Sequence, residues 1–401
     1  MTHLFLAVDI GTGSVRAALV DGRGKILDIA AREHDQIVPE FGWAEQRPLD
    51  WWEGARASIA TVLGRVDGAR DRIAAVCVCG QMHGLVLLDG NGELTRGTAP
   101  LWNDKRTIEL VRRFEEENAP ETYLPESGNT PTPAWPGFKL QWVRDNDPEA
   151  YARSAVGIMP KDYINYRLTG EIAMDTGDAS CSFLMNPERM DWSPVMIERM
   201  GLERRMLPPI RNSLDIIGHV TQMAARDTGL NAGTPVLVGG ADYPVALLGS
   251  GACRPGLGSD STGTGAIITV IAEKPLLDPE ISNVATIEGN WGPFVLLETG
   301  GGARTALWLK IKASVFGIPI IVPQEPECGI IGCAAMAATA TGRFGRVEEA
   351  ADRFVEYRDE IPPDPAWAQV YRRMQPVFDK LYHHSQALYD DLDVLEAAAR
   401  G

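Results

Sequence analysis

Asp9 closes the apolar run Leu4-Phe5-Leu6-Ala7-Val8 and is followed by Ile10-Gly11-Thr12-Gly13-Ser14, a loop whose small residues leave backbone N–H groups open to an anion. Such a loop can cradle a γ-phosphate with Gly11, Thr12, Gly13 and Ser14 while Asp9 faces Mg2+, through water because that ion keeps much of its hydration shell. The same residues would also make an ordinary hairpin turn. A second loop, Ser261-Thr262-Gly263-Thr264-Gly265, offers the same donors with Ser261 in the place of Asp9. Two such loops facing each other would clasp a polyphosphate from both sides and leave one carboxylate for the metal.

Asp242 lies in Gly239-Gly240-Ala241-Asp242-Tyr243-Pro244, and the pattern predicts a strand-to-helix turn with the carboxylate toward a cleft. Phosphoryl transfer needs an acceptor hydroxyl oriented in line and a nearby group to take its proton, a role Asp242 fits. A helix N-cap is the alternative. His83, in the turn Gly80-Gln81-Met82-His83-Gly84 after the apolar run Ile73-Ala74-Ala75-Val76-Cys77-Val78-Cys79, lies at the strand end where α/β proteins bind ligands and suits a substrate hydrogen bond. In LWNDKRT, Trp102 beside Asp104 and Arg106 suits a polyol, although Asp104 could equally cap the next helix. The turn ETGGGAR, with Gly301 and Gly302, suits the adenosine or α-phosphate of ATP lying against backbone.

The elements that must position these residues are legible as an α/β pattern. LFLAV and VRAALV read as a hairpin, ILDIAA as a third strand, and PLDWWEGARASIATVLGRV as a helix behind an N-terminal Pro. Strands interleaved with amphipathic helices predict a layered α/β architecture. IGTGSVRAALV at 10–20 overlays TGTGAIITVIA at 262–272, which fits a duplicated domain. A chain of 401 residues exceeds one core, so two domains with a cleft between them are expected, 1–245 and 246–401. The net charge of −16 argues against nucleic acid or an anionic membrane as partner. The start MTHLFLAVDI lacks a basic stretch, a long apolar run and a cleavage site, so the expectation is a cytoplasmic protein. The six cysteines are dispersed and read as reduced packing thiols.

Together the pieces DIGTGSVRAALVD, GWAEQRPLDWW, GQMHG, LWNDKRT, PKDYINYRLTGE, GGADYPVALLGSGA, STGTG, TGGGAR and CGIIGCAAMAA resemble the FGGY family of carbohydrate kinases, and within it the xylulokinases. The resemblance spans nearly the whole chain. It implies an actin-like ATPase fold of two ribonuclease-H-like domains from a duplication, with ATP and Mg2+ in an interdomain cleft that closes on a sugar. It further implies 5-phosphorylation of a ketopentose such as D-xylulose, with Met82 and His83 on the sugar, Asp242 as base, Gly301 and Gly302 at the nucleotide, and a possible homodimer.

Two departures bear on that expectation. Typical xylulokinases follow the base with Asn, whereas Tyr243 stands here, which leaves ribulose, glycerol or a tetritol as alternative acceptors. Between GPFVLLETG and GGARTALW the family carries roughly a hundred further residues, and here the two Gly-rich ends are fused at 299–302. Both flanks read as intact, which favours a segment absent from the sequence over a natural deletion. A true deletion would expose core, disable closure and fit a catalytically inactive sugar-binding homologue.

Overall fold

The structure is a computed structural model that describes residues 3–262, 266–297 and 306–400. By compactness the chain divides into two units, the larger formed by Met1–Asp260, Ile267–Leu297 and Glu325–Val355.

The larger unit is organised by a seven-stranded mixed sheet. Its strands are β1 (Leu4–Ile10), β2 (Ser14–Asp21), β3 (Ile26–Glu33), β4 (Ile73–Gly80), β5 (Ile216–His219), β6 (Pro235–Leu237) and β7 (Gly240–Ala241). The order is β5-β6-β4-β1-β2-β3, with β7 continuing along β4. β1, β2 and β3 form the antiparallel meander read in the sequence, while β4 joins β1 in parallel. All seven residues of β1 are buried, as a strand covered on both faces requires.

The pleat sorts that strand into two layers. Leu4, Leu6, Val8 and Ile10 pack with α1 (Pro48–Arg65), whose Trp51, Trp52, Ala55, Ile59 and Val62 recur at helical spacing. The Pro at the start of α1 needs no backbone donor there. Phe5 and Ala7 point to the opposite layer, and by the same alternation so does Asp9. Two further helices of the larger unit matter below, α2 (Pro136–Asn146) and α3 (Pro160–Thr169). At the start of α3, fully buried Lys161 pairs with Asp162, with Asp175 at 2.9 Å and with Asp178 at 3.7 Å, and all three carboxylates are themselves fully buried.

The layer facing Asp9 is built by α4 (Asp242–Gly249), α5 (Cys328–Ala340) and α6 (Val347–Phe354). α5 is apolar almost all round, as a helix buried between neighbours must be. A smaller sheet uses Ala266–Val270, Trp291–Leu297 and Ser282–Ala285. All six cysteines are free, and Cys77, Cys79 and Cys333 are buried together in the α5 layer. Among the described residues no helix is long and apolar enough to cross a membrane.

The smaller unit comprises Ser261–Ala266, Glu298–Gln324 and Glu356–Gly401. In it the strand Ile320–Pro323 pairs antiparallel with Tyr357–Ile361, and Lys310 bonds Asp364 at 3.0 Å while its ammonium lies over the Trp367 ring.

Candidate active site

Strand register brings the acids together. Asp9 is opposite Arg16 across the β1–β2 hairpin and opposite Cys79 on β4; Cys79 is in turn opposite Gly240 on β7, two residues before Asp242. Asp242 is therefore the first residue of α4, at the strand-to-helix turn the sequence predicts.

Arg16 is shared by two carboxylates. Its Nη2 donates to Asp9 Oδ2 at 2.6 Å and its Nη1 to Glu327 Oε2 at 2.5 Å, with Glu327 at the N-cap of α5. A β-carbon built on Gly329 would stand 3.8 Å from Asp9 Oδ2 and 3.7 Å from Cys79 Sγ, so the first turn of α5 lies directly over both side chains. Burial raises the Asp9 carboxyl above its usual range, opposed by the Arg16 cation and by the Cys79 thiol. Burial also pushes Asp242 up to about 7; the nearby Asp9 charge adds to the rise, and the Tyr243 backbone N–H and Arg16 oppose it. Two carboxylates raised chiefly by burial, Asp242 further by the Asp9 charge, form a site suited to a divalent cation or to a proton acceptor working near neutrality.

The loop after Asp9 is tied at its flanks and open at its tip. Gly11 N donates to Ser14 O at 2.9 Å, Gln46 Nε2 to Thr12 O at 2.6 Å, and Trp102 Nε1 to Thr12 Oγ1 at 3.1 Å. A β-carbon at Gly13 would meet nothing within 4 Å, so space for an anion exists beside the backbone there.

Gln46 links this loop to the next. Its Oε1 accepts from Trp51 Nε1 and from Gln81 Nε2, both at 2.9 Å, which ties the 11–14 loop to Gln81, itself bonded from its N–H to Ile10 O at 2.7 Å. Gln81 Oε1 is buried without a partner, and Met82 is buried in the adjoining core. His83 holds a left-handed backbone with φ 67°, rare for a residue with a side chain and a mark of a position the surroundings enforce. Its ring meets Trp135 edge-on at 4.9 Å. Burial, helped by the Lys139 charge, lowers His83 to about 3, so the imidazole is neutral, and its Nδ1 is buried without a partner.

Lys139 on α2 enforces that backbone. Fully buried, it donates to His83 O and Leu101 O at 2.6 Å each and to Ala134 O at 2.8 Å. One ammonium thus pins both the 81–84 loop and the loop bearing Trp102.

The remaining expected residues are placed differently. Asp104 is buried with its oxygens engaged by Ala44 N–H at 2.8 Å and by Arg106 through N, Nε and Nη2, while Arg106 also bonds Glu45 at 2.5 Å and stacks over Trp43. That network holds a loop. Tyr243 turns its hydroxyl to Thr269 Oγ1 at 2.6 Å and its ring toward Phe294. Thr262 ends the strand Gly258–Thr262; Gly263, Thr264, Gly301 and Gly302, with the junction at 299–302, lie outside the described residues.

Four residues here were not singled out from sequence: Arg16, Glu327, Gln46 and Lys139. Arg16 was recoverable, since a hairpin closing through the 11–13 turn pairs position 9 with 16. Nothing local marks the other three, whose bonds into the site reach 34 to 311 positions away.

Comparison with known proteins bears on this arrangement. The description "FGGY family of carbohydrate kinases, N-terminal domain" matches residues 4–249, and its C-terminal counterpart matches 293–341. A xylulose kinase of Bacillus subtilis is 24% identical over 96% of this chain and 97% of its own length; the alignment runs over 487 residues, so that relative carries residues with no counterpart among the 401 here. An autoinducer-2 kinase of Klebsiella pneumoniae is 24% identical over 97% of this chain and 95% of its own. Among solved structures, a ligand-bound xylulose kinase from Lactobacillus acidophilus superposes with a TM-score of 0.91 at 17% identity, covering 97% of this chain and 100% of that one.

Proposed function

The chain belongs to the FGGY family of carbohydrate kinases, and on that premise we propose that it transfers the γ-phosphoryl group of ATP to a ketopentose, converting D-xylulose to D-xylulose 5-phosphate. The observation that carries the reading is Asp242, held beside Asp9 at the head of α4 with its carboxyl near 7.

In this reading the open backbone at Gly13, with Gly11, Thr12 and Ser14 of the same loop, orients the γ-phosphate, and Thr262, Gly263 and Thr264 supply a second phosphate-binding loop. Gly301 and Gly302 receive the nucleotide, so that 1–245 forms the sugar side and 246–401 the nucleotide side. Asp9 holds Mg2+, which supplies charge neutralisation for the transferring phosphoryl group. Asp242 accepts the proton of the attacking hydroxyl as the new O–P bond forms and ADP leaves. Neutral His83 and the unpartnered Gln81 Oε1 offer the sugar hydroxyls an acceptor or donor without placing a charge beside the substrate. Arg16 stands where a cation stabilises developing negative charge.

Coupled-assay turnover across a sugar panel tests the reading: D-xylulose turnover abolished in Asp242→Ala supports it, and full activity of that variant removes Asp242 from its role. Tyr243 motivates a second reading in which the acceptor is another ketose or polyol, because its hydroxyl is committed to Thr269 instead of offering a free amide. The ranking of kcat/KM over ribulose, glycerol and tetritols separates the two.

A further inference from the structure

A pocket of about 420 Å³, away from the acids described above, is lined by Gly22, Arg23, Arg343, Phe344 and Arg353. Three of its five lining residues are arginines, in a chain whose net charge is −16. Acids are plentiful next door but engaged elsewhere: Asp352 takes Arg254 through two bonds of 2.8 and 2.5 Å, Glu348 takes Arg346 at 2.5 Å, and Glu349 accepts from Gly345 N–H. Among the described residues no carboxylate pairs with Arg23, Arg343 or Arg353.

The pocket is built as well as charged. A β-carbon at Gly22 would lie 2.8 Å from the Arg343 Cζ, so that guanidinium rests against the backbone of the β2–β3 turn. Phe344 is packed edge-on against Phe354 at 5.7 Å and supplies an apolar patch between the cations. Planar guanidinium forks bind phosphate oxygens two at a time, and three around one concavity match an anion of more than one charge. The volume suits a small molecule and not a polymer surface.

We propose that this pocket is an effector site for a small phosphate ester carrying two or more negative charges, its non-ionic body resting on Phe344. The pocket borders the C-terminal end of α5, and the N-terminal end of that helix covers Asp9. Thirteen helical residues separate the two ends by about 20 Å, so occupancy is read out along one rigid element. The site stands whether or not the acceptor sugar has been named correctly.

Titration calorimetry of the full chain with inorganic pyrophosphate and with glucose 1,6-bisphosphate, without metal and at physiological salt, tests it. The expected result is binding of both probes at sub-millimolar concentration, weakened at least ~10-fold in Arg343→Ala/Arg353→Ala, equivalent to ~1.4 kcal/mol. Thermal melting and basal turnover of the variant should match the parent, since these side chains are exposed and outside the acid cluster. Tighter binding of the bisphosphate than of pyrophosphate supports an ester whose body rests on Phe344; the reverse order overturns that assignment. Absence of millimolar binding in the parent, or a loss in the variant smaller than ~10-fold, overturns the proposal. Arg23→Ala provides an independent arm expected to weaken binding in the same direction.

Discussion

The backbone at Gly249 passes so close to Cys328 that a β-carbon there would stand 1.8 Å from the Cys328 carbonyl oxygen. The reciprocal contact joins Gly332 to Val245, whose carbonyl oxygen would lie 2.1 Å from a β-carbon. α4 and α5 therefore cross backbone against backbone, and the helix that starts with Asp242 is located by the helix whose first turn covers Asp9. Gly249→Ala or Gly332→Ala is expected to cost about 3 kcal/mol or to prevent folding, because carbonyls cannot yield as flexible side chains do. Urea denaturation of the two variants checks this; a loss under about 1 kcal/mol would show that the crossing can spread.

Asp242 should govern the pH dependence of turnover. With its carboxyl near 7, kcat/KM should rise with pH through that region on the acidic limb. Stability runs the other way: a carboxyl raised on folding takes up a proton in the native state, so its contribution falls as pH climbs from the unfolded value toward 7. Asp242→Asn is expected to lose at least ~100-fold in kcat yet gain on the order of 1–2 kcal/mol of stability at pH 8. A variant that is slower and less stable would contradict this environment for Asp242.

Asp9 should connect activity to a divalent ion. Chelation should abolish turnover and Mg2+ restore it, while Asp9→Asn should need a higher Mg2+ concentration for half-maximal rate. An unchanged Mg2+ requirement in Asp9→Asn would assign the ion to other ligands. The same variant leaves Arg16 with Glu327 alone, so a displaced phosphate site should also appear as a raised KM for ATP.

Tyr243 separates structure from specificity in two substitutions. Tyr243→Phe removes the hydroxyl bonded to Thr269 and should cost about 1 kcal/mol with an unchanged sugar ranking. Tyr243→Asn opens the space beside Asp242 and should move kcat/KM toward D-xylulose relative to other ketoses. Identical rankings in all three proteins would exclude this position as a determinant.

The sequence made the scaffold readable where period and turn chemistry agree. β1, β2 and β3 were legible from apolar runs joined by DIGTGS and DGRG, and the start of α4 from the glycines ahead of Asp242. Side-chain destinations were harder. Asp104 sits in a motif that suits a polyol, yet its oxygens are consumed by Arg106, two positions on, and by Ala44, which only the tertiary fold brings in. Lys139 is a lysine in the first turn of its helix, a place where a solvated side chain is the ordinary expectation. Two of its three carbonyl partners, His83 and Leu101, come from loops brought in only by the tertiary fold, while the third, Ala134, lies just ahead of its own helix.

Lys161 and its three acids carry a consequence for how the chain reaches its native state. Asp178 is raised well above the normal carboxylate range by burial and by Asp175, and Asp162 is raised to about 6 by burial despite the ammonium beside it. One cation cannot balance three anions in a dry interior, so at neutral pH the closing structure must absorb a hydrogen ion from the solvent. The heat of refolding should accordingly change with the ionisation enthalpy of the buffer, and acidification from pH 8 to pH 6 should hasten the final consolidation around α3.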